Sequence, residues 1–158
     1  KKVVNELKDV KLDMFGGGHI FRDVVSLVDK LDLRDNVRLH GFVSRRRLLH
    51  EVSRCYAVVH PSFIEAGTMV AYEAYALGKP IIAHRAPWSI ELVEGFGAGL
   101  TASVVNTEEF ANAILTLLND EKLHNKLSKN AENAVKGPLN IRTCVKEHIK
   151  LYKKLLEE

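Results

Sequence analysis

Two carboxylates stand out by their spacing. In the run from Val58 to Ala83, VVHPSFIEAGTMVAYEAYALGKPIIA, Glu65 and Glu73 flank seven residues. A carboxylate offers acceptor atoms for vicinal hydroxyls, such as those of a ribose or a hexose. It rarely sits on an apolar helix face without a partner. Glu65 falls in the loop after one apolar run, and Glu73 falls inside an otherwise apolar helical segment. Thr68 is placed to cap that helix. The first free amides, at Thr68, Met69 and Val70, would point out of its N-terminus. Helical side chains lean toward the N-terminus, so Glu73 is expected to reach back to the mouth that Glu65 borders. Carboxylates for hydroxyls beside N–H groups for phosphate describe a nucleotide-sugar pocket. A Glu73 buried against a basic residue for structural reasons fits the same residues equally well.

Other candidates lie close by. His60 and Ser62 end the apolar run before Glu65. Ligands of open α/β sheets bind beyond the carboxyl ends of the strands, which puts His60, Ser62 and Glu65 on the functional edge. His60 reads equally as a hydrogen-bonded core histidine. Gly16-Gly17-Gly18 follow another apolar run and precede a helix. Glycines there allow a sharp turn and close backbone approach, and the helix N-terminus favours an anion. The dinucleotide fingerprint is not met, because Phe21 stands where its third glycine belongs, and no P-loop lysine follows. The chain has 7 histidines, but none has convincing metal-ligand spacing, so no metal is expected.

The elements that must position these residues follow from hydrophobic periodicity. Strands are expected at Val10–Phe15, Asn36–Leu39, Tyr56–His60, Pro80–His84 and Ala98–Ala102. Helices are expected at Lys2–Lys8, Ile20–Leu31, Arg46–Arg54, Thr68–Leu77 and Ser89–Val93. This alternation implies right-handed βαβ units and a parallel sheet covered on both faces. Beyond Thr107 the pattern is purely helical, over Glu108–Leu118, Glu121–Val135 and Ile141–Leu156, with a break at Gly137-Pro138. The chain opens on a helix, whereas a doubly wound fold normally opens on its central strand. It is therefore expected to be a fragment that lacks its first strand.

Composition narrows the class. The 158 residues suffice for one domain that buries roughly 70% of its extended surface. They carry a formal charge of +3, too little to argue for nucleic acid. Arg45-Arg46-Arg47, the densest basic run, reads as a solvated helix start, with a phosphate or acidic membrane surface as its other reading. Cys55 and Cys144 are far apart, which suits buried thiols in a reducing cytoplasm. No apolar run approaches the roughly 20 residues needed to span a bilayer. Peripheral association with the inner face of a membrane stays open.

The motifs resemble a known family. "PS..E", seven residues, then "EA.A.GKPII" is similar to the retaining GT-B glycosyltransferases, in particular the large family 4. KLDMFGGG resembles that family's first glycine turn, and NVRLHGFVSRRRLLHEVSRCYAVVHPS its following strand–helix–strand. The similarity covers nearly the whole chain. It implies an α/β, Rossmann-like doubly wound domain with a helical C-terminal tail, the donor-binding half of a two-domain enzyme. The implied activity transfers a sugar from a UDP-, GDP- or ADP-sugar to a glycan, lipid or small-molecule acceptor, with no cofactor. Carried over by position, Glu73 binds the donor ribose, and Glu65 contacts the transferred sugar as the catalytic carboxylate. Gly67, Thr68 and Met69 hold phosphate or sugar. Gly16, Gly17 and Gly18, with Gly41, Phe42 and Val43, border the nucleotide, and His60 and Ser62 flank the site.

Two departures from the family pattern matter. Its E-G-F-G-L becomes Glu65-Ala66-Gly67-Thr68-Met69, and its G-G before Glu91 becomes Pro87-Trp88-Ser89. The basic pair that neutralises the diphosphate, and the domain that binds most of the acceptor, are expected upstream of Lys1. The fragment alone is expected to be inactive. Two other functions fit the residues: a nucleotide-sugar epimerase of the same architecture, and a binding module without turnover.

Overall fold

A computed structural model describes residues 1–65 and 68–157. The expected order of helices and strands is present, in two units, Lys1–Glu51 and Val52–Glu158.

The first unit opens on α1 (Lys2–Glu6) and holds β1 (Leu12–Met14), α2 (Phe21–Lys30) and β2 (Val37–Leu39). The strands pair in parallel, with Leu12 opposite Val37 and Met14 opposite Leu39. β1 is shorter than the expected Val10–Phe15 because a ladder extends only as far as its partner strand. Its ends are closed by Leu12 N donating to Asn36 O and His40 N donating to Met14 O. Leu33 and Asn36 are the buried residues described in this unit. Asn36 Nδ2 donates to the carbonyls of Lys8 and Val10, at 2.8 Å each, and so ties the approach to β1. Arg34 grips Asp29 with two hydrogen bonds, and this holds the Asp29 carboxyl below the usual carboxylate range.

α3 (Arg45–Arg54) runs across the division. The second unit continues with β3 (Val58–His60), α4 (Met69–Ala76), β4 (Ile81–His84) and β5 (Gly99–Ala102), followed by α6 (Thr107–Asn119), α7 (Glu121–Lys136) and α8 (Ile141–Glu157). β3, β4 and β5 form a parallel sheet with β4 central. Ile81, Ile82 and Ala83 are all buried, as the unbroken apolar run requires of a strand covered on both faces. Successive strand residues point to opposite faces. Ile81 and Ala83 join Ala71, Ala74 and Tyr75 of α4 and Ala131 of α7. Ile82 joins Leu117 and Leu127 on the other face. Tyr75 is fully buried and its hydroxyl donates to Leu92 O at 3.0 Å. Burial raises its ionisation above the ordinary tyrosine range, keeping it a donor. Asn106 and Asp120 cap α6 and α7 through their side chains.

The expected helix over Ser89–Val93 resolves into two pieces. One turn, α5 (Pro87–Ser89), leads into a π-helical turn over Ile90–Glu94. Gly95 N closes the wider ring onto Ile90 O at 2.9 Å. Pro87 presets the first helical position, and Ser89 Oγ accepts from Ala86 N at 2.9 Å. π-turns of this kind occur often at functional sites.

Candidate functional site

The second unit gathers a polar group where β3 ends. His60 is the last residue of β3, opposite Ala83 of β4. Its Nε2 lies 3.0 Å from Glu65 Oε1 and 3.2 Å from Thr68 Oγ1. An ionised Glu65 requires a donor there, so Nε2 carries the proton and both oxygens accept from it. The His60 and Glu65 side chains are 16% and 25% exposed, sheltered yet open to a ligand. The ring of Trp88 meets that of His60 edge-on, with centroids 5.5 Å apart. Thr68 and Trp88 thus converge on the His60 ring, and that ring holds the carboxylate.

Thr68 departs from expectation. It occupies the N-cap of α4 with extended backbone, but its hydroxyl makes no capping bond. The hydroxyl is instead within hydrogen-bond distance of His60, and Thr68 is buried. The amides at the start of α4 therefore keep no side-chain cap, which suits an anionic group. Met69, the first helical residue, is 60% exposed. Glu73 sits one turn in, half-buried on α4. Ser62 turns its hydroxyl onto Ile64 O at 3.2 Å. Gly67, a predicted donor contact, lies outside the described residues.

The first unit gathers the glycine residues. Gly16 N donates to Gly41 O at 2.8 Å, which joins the two loops that follow β1 and β2. Gly41 takes φ +64°, a left-handed backbone that favours glycine. A side chain on Gly17 would lie 2.8 Å from Phe42 Cε2, so only glycine lets that ring rest there. Phe42 is 82% exposed, and Gly18 and half-buried Val43 flank the same loops. The loops are also braced by His40. Arg47 donates to its Nδ1 at 3.4 Å, its Nε2 is 2.7 Å from Asp13 Oδ1, and its ring stacks on Phe15 at 4.5 Å.

Among the described residues no group of three or more His, Cys, Asp or Glu could hold a metal. No described helix is long and apolar enough to cross a membrane.

The family model for glycosyl transferases group 1 matches residues 1–134. The chain belongs to that family. Over 130 residues it is 28% identical to the poly(glycerol-phosphate) alpha-glucosyltransferase of Bacillus subtilis, covering 82% of this chain and 19% of that enzyme. It is 27% identical over 157 residues to the N-acetyl-alpha-D-glucosaminyl L-malate synthase of Bacillus anthracis, covering 99% and 40%. Among solved structures, sucrose-phosphate synthase from Thermosynechococcus elongatus superposes with a TM-score of 0.84 at 26% identity, over 99% of this chain and 41% of that one. Anabaena HepE in complex with UDP and glucose superposes at 0.80 and 22% identity, over 96% and 44%, and shares the fold. The chain thus spans less than half the length of these glycosyltransferases.

Sequence reasoning missed several contacts within each unit. Trp88 was visible only as a departure from the family's G-G. Asp13 and His40 gave no signal, because their contact depends on strand register. Phe63 against His84, with ring centroids 4.6 Å apart, was equally hidden.

Proposed function

We propose that this chain is the nucleotide-sugar-binding domain of a retaining glycosyltransferase. The observation that carries the reading is the grip of His60 Nε2 on Glu65 at 3.0 Å, at the carboxyl end of β3. A carboxylate held by a ring N–H is preorganised, and needs no rearrangement when charge develops beside it. In the transfer, the bond from the anomeric carbon to the diphosphate oxygen breaks. The nucleotide diphosphate leaves with the electron pair. The acceptor oxygen bonds to the anomeric carbon on the same face and gives up its proton to the departing diphosphate oxygen. Glu65 faces the positive charge on the sugar during this exchange. The uncapped amides of Thr68 and Met69 take the negative charge of the departing diphosphate. Glu73 holds the ribose hydroxyls. Phe42, held over Gly17, offers an exposed face to the base.

The presence of UDP in the HepE structure supports UDP-sugars as the first donors to try. The rest of the acceptor site and the neutralising basic residues belong to the longer enzyme in this reading. Thermal unfolding with UDP-, GDP-, ADP- and dTDP-sugars tests it. A nucleotide sugar at 100 times its dissociation constant is expected to stabilise the chain by about 2.7 kcal/mol. No shift with any of the four would overturn the assignment of a donor site.

A further inference from the structure

Beside the His60–Glu65–Thr68 group lies a cavity that, Thr68 apart, the transfer chemistry above does not use. Its volume is about 240 Å³, and its lining includes Tyr72, Trp88, Phe96, Leu92, Thr68 and Glu91. It lies entirely within the second unit. Trp88, Leu92 and Phe96 pack against the buried core around Ile81 and Tyr75, so these walls are preformed. Trp88 and Leu92 sit on α5 and the π-turn, and Glu91 projects from the same turn.

The lining selects a chemical class. Three aromatic side chains suit the C–H face of a sugar ring. The Glu91 carboxylate and the Thr68 hydroxyl suit the ring's hydroxyls. Trp88 contributes ring surface, while its Nε1 is buried and meets no acceptor among the described residues. A hydrocarbon occupant would strip water from Glu91 and return nothing. The volume is below the roughly 300–1,000 Å³ of pockets for drug-sized ligands, which fits one ring and not an extended chain. Thr68 is shared with the Glu65 group, being within 3.2 Å of His60, so a ring here lies next to the sugar being transferred.

We propose that this cavity is a subsite for one pyranose ring of the acceptor. The inference rests on the sugar-transfer reading, and it adds that this domain, and not only the rest of the enzyme, selects the acceptor. Tyr72, Trp88 and Glu91 are its specificity-determining residues.

The sequence contains 1 tryptophan, so intrinsic fluorescence reports on Trp88 directly. The chain is titrated with methyl α-D-glucopyranoside, methyl α-D-galactopyranoside and the methyl glycoside of N-acetylglucosamine, each with and without saturating UDP. A saturable, millimolar response to at least one pyranoside is expected, and UDP leaves it in place. Glu91→Gln and Tyr72→Ala are expected to weaken it about tenfold, the scale of one strong polar or stacking contact. Both variants should keep the wild-type melting temperature and UDP affinity, which separates loss of the subsite from misfolding. No saturable response to any pyranoside, or an undiminished response in both variants, overturns the proposal. Loss of the pyranoside response with UDP-glucose but not with UDP overturns it as well, because the ring would then be the donor's own. Failure of the nucleotide reading has a different signature: UDP does not bind while the pyranoside response persists.

Discussion

The two units build strand–helix–strand structure with very different amounts of core. In Val52–Glu158, β4 is buried on both faces between helices, and its apolar residues divide between two clusters. In Lys1–Glu51, Leu33 is the buried apolar residue described, and Leu12 and Met14 of β1 are 42% and 39% exposed. That unit is held instead by specific polar contacts: Asn36 to two carbonyls, His40 to Asp13, and Arg34 to Asp29. The contrast suits the parts the units play in the proposed reaction. Fixing a carboxylate against developing charge demands a rigid frame. Bordering a flat base demands an exposed ring and a close backbone, which Phe42 and Gly17 supply without a deep core.

The contrast can be broken by mutation. The largest effect is expected at Gly99 of β5. A side chain there would run into the Ile81 carbonyl and sit 2.8 Å from Val93 Cγ1, in the densest part of the second unit. Gly99→Ala should cost about 3 kcal/mol, the upper end of ordinary overpacking, measured by denaturant unfolding. A cost near zero would mean that this core yields easily. A smaller effect is expected at Asn36. Asn36→Ala removes two hydrogen bonds to main-chain carbonyls and should cost about 1–2 kcal/mol. Hydrogen exchange sharpens that result: the loss should appear in β1 and β2 amides and leave β3, β4 and β5 protected. Equal deprotection of both sheets would contradict separate sources of stability.

Much of the fold was legible because its signals are local. The run Pro80-Ile81-Ile82-Ala83 could only be a doubly covered strand, and Gly137-Pro138 marks the end of α7. Strand ends were less legible, since pairing is decided by the partner: β1 stops where β2 stops. The candidate site was half legible. Glu65, Thr68 and His60 were named from loop position and spacing. Their mutual contacts were not, because Thr68 abandons the capping bond that its position predicts for a bond with a ring eight residues away. Asp13 and His40 meet through strand register. The π-turn, and the cavity beside it, depend on how Pro87 and Ser89 set one helical turn, a detail that hydrophobic periodicity does not carry.

Calorimetric titration of UDP into the wild-type chain and the Glu73→Ala variant tests the central claim, that this domain binds a donor nucleotide with Glu73 on its ribose. The account predicts measurable wild-type affinity, weakened in the variant by roughly 1–3 kcal/mol, the scale of a lost charged hydrogen bond. Equal affinity in the two proteins would contradict it.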